Sequence, residues 1–262
     1  MKKYLLLFAS FLLIVAVLAW YMSRNQTVTF EGTLTEVNTL AETPVTPAPV
    51  ESTPLATEIP PETTKSPIIS ILNSVDIDVP FTAQAPTANW DAFHEEACEE
   101  ASAIMVWHYF NQTKITSTEQ VETEMATAAE WERTNLGTDV SISAADTVKM
   151  LRTHFKLDAS ISSNVSSEAF KQALSAGNLI ILPAQGQFLH NPNFKQPGPR
   201  YHMLVVRGYT ADGRFITNDP GTRRGLKYQY DAKVLLDAIH DWNGGDVENG
   251  AKTAIIVSGV LK

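Results

Sequence analysis

The stretch Arg200-Tyr201-His202-Met203-Leu204-Val205-Val206-Arg207-Gly208-Tyr209 runs into Thr210-Ala211-Asp212-Gly213 and returns as Arg214-Phe215-Ile216-Thr217-Asn218-Asp219. Two β-branched and aromatic runs around a short turn ending in Asp-Gly predict an antiparallel hairpin, with strands over 203–209 and 214–218. Pairing Tyr209 with Arg214 sets His202 opposite position 221, and Asp219 becomes its diagonal neighbour on the same face. Strand alternation turns Asn218 to the other face. A histidine on an apolar strand is ordinarily a packed core residue. A carboxylate beside it changes that reading, because it selects the tautomer and stabilises the imidazolium.

Outward from the hairpin, short apolar runs predict further strands over 178–184, 227–230 and 253–261. Val234, Leu235, Ala238, Ile239 and Trp242 mark a helix between the last two. Upstream the period changes to that of a helix. A helix is expected over 96–110, carrying Ala101, Ile104 and Met105. A second, capped by Thr116 or Ser117, buries Val121, Met125, Ala128 and Trp131. Ser143 with Asp146 three residues on starts a third through Val148, Leu151 and Phe155. Ser166 or Ser167 opens a fourth that Gly177 stops. A helical first half and an antiparallel sheet in the second half make an α+β domain.

The chain's single cysteine, Cys98, stands at the start of the first of these helices, in Glu95-Glu96-Ala97-Cys98-Glu99-Glu100-Ala101-Ser102. A helix N-terminus presents free N–H groups and partial positive charge, which favour the thiolate. Cys98 is therefore expected to react below the pH an ordinary thiol needs, with Glu99 and Glu100 opposing that shift. A buried structural thiol is the competing reading. Gln84, in Val79-Pro80-Phe81-Thr82-Ala83-Gln84-Ala85-Pro86, offers an amide ahead of the helix that could face an oxyanion; a plain turn residue is the alternative. His94 is expected to lie before the helix without an acidic strand partner, and His190 to sit in a polar loop. His108 and His154 read as helix residues. No His/Cys/Asp/Glu spacing suits a metal, no Gly-rich phosphate loop follows a strand, and Ser102 is not in a Gly-x-Ser-x-Gly elbow. Neither metal nor cofactor is expected.

The N-terminus is different material. Lys2 and Lys3 precede an uncharged apolar run over residues 4–22, about 28 Å long as a helix and enough for the hydrocarbon layer. Residues 1–24 are read as a transmembrane anchor or signal sequence. Trp20 and Tyr21 suit a membrane interface, and Val17 and Ala19 would suit cleavage. With the lysines inside, the remainder lies outside the cell as a single-pass membrane protein, or is secreted if the segment is cleaved. Residues 25–67, rich in Thr, Pro and Glu, cannot bury enough apolar area to order themselves and read as a linker. Residues 68–262 form the globular domain. The net charge of −9 argues against a nucleic-acid partner, and one cysteine permits no intramolecular disulfide.

Val79-Pro80-Phe81 with Gln84, Asn89-Trp90, Cys98-Glu99-Glu100-Ala101-Ser102, the His202 strand and Phe215-Ile216-Thr217-Asn218-Asp219-Pro220-Gly221 together resemble the bacteriocin-leader-peptidase-like branch of the papain-like cysteine peptidases. The likeness covers most of residues 75–245. It implies a papain-like α+β fold and thiol chemistry on peptide bonds of a peptide or protein substrate. The implied catalytic set is Cys98, His202 and Asp219, with Gln84 for the oxyanion. Glutamates follow the cysteine here where other members have Gly-Pro. A cell-wall peptide amidase or an acyl transferase would use the same triad, and a catalytically silent surface binding module would keep only the fold.

Overall fold

The computed structural model describes residues 72–262. The expected anchor or signal sequence at 1–24 and the linker at 25–67 lie outside them. Among the described residues no helix is long and apolar enough to cross a membrane.

Side-chain caps start three helices where Ser, Thr and Asp spacing predicted them. Ser117 accepts from the Gln120 N–H before α2 (Thr118–Leu136), and Ser143 from the Asp146 N–H before α3 (Ala144–Thr153). Ser166 accepts from the Ala169 N–H before α4 (Ser167–Ser175). Gly137 ends α2 at φ 79°, a left-handed conformation that costs glycine least. The preceding helix, α1 (Cys98–Phe110), has no such cap: Ala97 supplies no side-chain acceptor. Its first turn is left with open N–H groups, and Cys98 is its first residue.

Seven strands form one antiparallel sheet: β1 (Val75–Asp76), β2 (Leu157–Ser162), β3 (Leu179–Gln185), β4 (Tyr201–Tyr209), β5 (Phe215–Asn218), β6 (Tyr228–Tyr230) and β7 (Ala254–Val260). Their order is β2-β7-β3-β4-β5-β6, with β1 paired to the far end of β4. A short helix α5 (Ala232–Ala238) joins β6 to β7. It stops short of the expected Trp242 because Ile239 turns extended and bridges Ala184 of β3.

The first half is not wholly helical. Leu157-Asp158-Ala159-Ser160 alternates buried and exposed residues, and as β2 it pairs along β7. The alternation is visible in the sequence; its partner lies a hundred residues downstream. Strands β3 and β4 are buried along their whole length, because the sheet carries a core on each face. On one face Tyr201, Met203 and Val205 pack with α1, α2 and α3. On the other Leu204 and Val206 pack with Phe170, Phe215 and Leu235. Helix α1 sits inside the first layer with residues 98–106 all buried, which is why it shows no polar face. Truncating Met203 or Leu204 to Ala would leave a cavity in one layer, worth about 2–5 kcal/mol.

Candidate active site

The β4–β5 register decides which side chains meet. Val205 pairs with Asn218 and Val206 with Thr217; a bulge at Arg207 then sets Tyr209 opposite Phe215, not opposite Arg214 as the sequence suggested. The sequence-derived pairing is thus one residue out at the turn and correct beyond the bulge, where it matters. β5 ends opposite Val205, so the first four residues of β4 project past it. Residues 219–221 fold back over that projection. An ideal Cβ on Gly221 would stand 2.9 Å from His202 Cε1.

In this corner His202 Nε2 lies 2.8 Å from Asp219 Oδ1, with both side chains buried. A carboxylate only accepts, so Nε2 carries the hydrogen and Nδ1 keeps the lone pair of a base. Asp219 accepts three more bonds. The Gly221 N–H reaches Oδ1 at 3.0 Å; the Tyr230 hydroxyl at 2.5 Å and the Asn191 amide at 3.1 Å reach Oδ2. Burial alone would raise the carboxyl's pKa. The charge and hydrogen bond of His202, with the Tyr230 and Gly221 donors, outweigh it and hold Asp219 below its ordinary value. Tyr230, buried against that charge, is held protonated. Asn218 points the other way: its amide donates to the Val79 and Pro80 carbonyls and its oxygen accepts from Arg207.

Helix α1 meets β4 beside this pair. The Ser102 hydroxyl donates to the Met203 carbonyl at 3.3 Å, one residue after His202. The Cys98 backbone N–H has no backbone acceptor among the described residues. The thiol donates to Glu99 Oε2 at 2.9 Å, while Glu99 Oε1 accepts from the Ile142 N–H at 2.9 Å. Burial, then the Glu99 charge and hydrogen bond, then Glu100, push the Cys98 thiol well up. The expected thiolate at the helix start is therefore corrected: partial charge at an uncapped N-terminus is outweighed by desolvation and a carboxylate in contact. Burial also pushes up Glu99, Glu100 and Glu132, the last to about 9. A titration of Cys98 by its ultraviolet thiolate absorbance should find a midpoint above the roughly 8.5 of a free thiol. Glu99→Gln, which keeps the shape and removes the charge, should move it down. A midpoint below neutrality in the unaltered protein would contradict this geometry.

Gln84 acts as a tie. Its amide nitrogen donates to the His94 and Glu95 carbonyls at 2.8 and 3.2 Å, and its backbone N–H to the Pro220 carbonyl at 2.9 Å. The turn entering α1 and the 219–221 corner are thereby pinned together. The expected oxyanion donor already holds two acceptors, and its Oε1 is buried without a partner among the described residues. His94 lies before the helix with no acidic strand partner, as expected; its acidic partners come from a turn and a helix, Asp91 and Glu122, each at 2.8 Å, which clasp its two ring nitrogens and fasten that turn to α2. His108 bonds Thr113 and Glu124, and His154 packs against Phe155. His190 is exposed; its neighbour Asn191 carries the contact to Asp219. Asn191 and Tyr230 were missed by sequence reasoning. Strand alternation aligns Tyr230 with Tyr228, but only the β5–β6 pairing brings it to Asp219.

A cleft of about 1080 Å³ opens over Cys98, walled by Gln84, Phe194, Tyr201, Gly221 and Trp242. The Tyr201 hydroxyl anchors one wall to the Ile142 carbonyl at 2.9 Å. A buried thiol beneath a cleft, on a helix fastened to the strand that carries a carboxylate-held imidazole, offers the groups acyl transfer needs.

The sequence profile of the Peptidase_C39 like family matches residues 76–244. None of the curated proteins matches the chain. Among solved structures, a Bacillus anthracis protein described as a C39-like peptidase is 16% identical. The match covers 72% of this chain and 99% of that one, with a TM-score of 0.49. A prointerpain A fragment from Prevotella intermedia is 13% identical over 73% of this chain and 74% of that one, with a TM-score of 0.43.

Proposed function

From the premise that this chain belongs to the Peptidase_C39 like family and is a cysteine peptidase, we propose that Cys98, His202 and Asp219 are its catalytic triad. The observation that carries this reading is the 2.8 Å His202–Asp219 bond, which leaves Nδ1 as a free base on the residue preceding Met203, where α1 is fastened to β4 through Ser102. Because the resting thiol is protonated, His202 acts as a general base during attack: Nδ1 takes the thiol proton as sulfur bonds to the scissile carbonyl carbon. The imidazolium, stabilised by Asp219, then protonates the leaving amine. Water releases the acyl-enzyme, with His202 again taking a proton. The Cys98 N–H at the open helix start is the oxyanion donor. Gln84 joins it only by giving up one of its two carbonyl contacts. The domain works outside the cell, tethered by residues 4–22; the support for this is the uninterrupted apolar run behind Lys2 and Lys3.

Full-length protein in membranes tests both parts. A peptidyl acyloxymethyl ketone should label Cys98 in the folded protein and fail after heat unfolding. The labelled chain should stay in the membrane fraction through a carbonate wash. Equal labelling of folded and unfolded protein would sink the triad, and release of the label into the wash would sink the tether.

A further inference from the structure

The cleft over Cys98 takes its charged lining from separate parts of the chain. The two connections between sheet strands line it with cations: Lys195 and Arg200 from the β3–β4 connection and Arg223 and Arg224 from the β5–β6 connection. All four are exposed. The turn entering α1 adds the acidic residues Glu95 and Glu96. Glu96 accepts from the Ser141 hydroxyl at 2.9 Å. Residues 68–262 hold 16 Lys and Arg against 23 Asp and Glu, so a cluster of four cations runs against the charge of the domain.

These cations are also uncommitted. Arg133, Arg152, Arg207, Arg214, Lys227 and Lys233 each have a carboxylate within 4 Å, whereas none of the four at the cleft does among the described residues. Arg200 donates only to the Gly245 carbonyl, at 3.1 Å. Four like charges held without counter-ions repel one another. Their potential is concentrated by the low-dielectric walls of a cleft, which draws in anionic groups and sorts peptides by charge. Two different loops supply them, so the arrangement is not an accident of one basic run.

We infer that this cleft selects acidic peptides, taking Asp or Glu side chains of the substrate against Lys195, Arg200, Arg223 and Arg224 while Glu95, ahead of α1, repels them. The inference rests on the reading of this cleft as the peptidase site, and its test separates the two.

Matched dodecapeptides, one rich in Asp and Glu and one with Lys in their place, are offered to the full-length protein, and their binding to the full-length Cys98→Ala variant is read by fluorescence anisotropy. The acidic peptide should bind and be cleaved better by about tenfold, the effect of one or two partly screened ion pairs. The gap should narrow as ionic strength rises from about 0.05 to about 0.5 M. The paired variant Arg223→Glu/Arg224→Glu should reverse the ranking. Lys233→Glu, an exposed cation paired with Asp237 elsewhere, should not. Equal binding of both peptides, or reversal by Lys233→Glu, overturns the inference. Selective binding of the acidic peptide without cleavage of either leaves the charge selection standing and removes the peptidase reading instead.

Discussion

Asp219→Ala should lower kcat/KM by roughly a hundredfold or more, since the imidazole loses both its tautomer lock and its counter-charge. The same change should also weaken the fold. As a strand-end residue facing a cleft, Asp219 would contribute little to stability; in the structure it is fully buried and accepts four hydrogen bonds. Removing it leaves the Tyr230 hydroxyl proton and one Asn191 amide proton without an acceptor; the other amide proton stays on the Tyr230 oxygen at 2.8 Å. At about 1–3 kcal/mol for each buried unsatisfied group, and about 2–4 °C per kcal/mol for a domain of this size, Tm should fall by roughly 10 °C. Asp219→Asn is the finer probe. Its oxygen can still accept from His202 and Gly221, but its amide faces that of Asn191, whose own oxygen is held by the Asn193 N–H at 2.9 Å. Part of the activity should survive. Asn218→Ala should cost stability, through Val79 and Pro80, with a smaller loss of turnover per folded molecule. The stabilisation from the lowered Asp219 pKa is present above the unfolded carboxyl value. It is lost as pH falls through the native one, so the Tm gap between wild type and Asp219→Asn should close in acid. A well-folded Asp219→Ala protein with near-normal turnover would refute the assignment.

Gly221→Ala should cost about a hundredfold in kcat/KM with a modest loss of Tm, because small displacements of a catalytic group are expensive. The residue's φ lies outside the left-handed region, so the backbone accepts alanine and the effect is steric. The new methyl would stand 2.8 Å from Phe194 Cε1, 2.9 Å from His202 Cε1 and 3.2 Å from Nε2. Neither ring can yield cheaply: Phe194 is buried edge-on against the imidazole, at 5.3 Å between centroids, and His202 is held by Asp219. If the backbone yields instead, the Gly221 N–H leaves Asp219. Phe194→Ala in the same chain vacates the contested space, so the double variant should recover part of the lost activity, a non-additivity expected of residues that share one cavity. Normal turnover in stable Gly221→Ala protein would show that the corner is looser than drawn.

Local chemistry was legible along the chain. Three serine caps, the glycine after α4 and the apolar runs of β3, β4 and β7 follow from propensities and periods that act over a few residues. The His202–Asp219 pairing was within reach too, since a hairpin's register is a short-range property, although the Arg207 bulge moved its turn end by one residue. Other features depended on partners far apart in sequence. Strand β2 is a short alternating segment until β7 supplies its ladder. Asn191 and Tyr230 become part of the site because the β3–β4 connection and β6 converge on one carboxylate. Gln84 could be picked out as a polar residue ahead of the helix, but only the packed turn shows its amide engaged by His94 and Glu95. The protonation of Cys98 was the least legible, because a helix start and a following glutamate oppose each other in sequence with comparable weight. Desolvation decides between them, and desolvation is a property of the closed core: burying α1 within the first layer removes the water that would stabilise a thiolate and presses Glu99 against the sulfur.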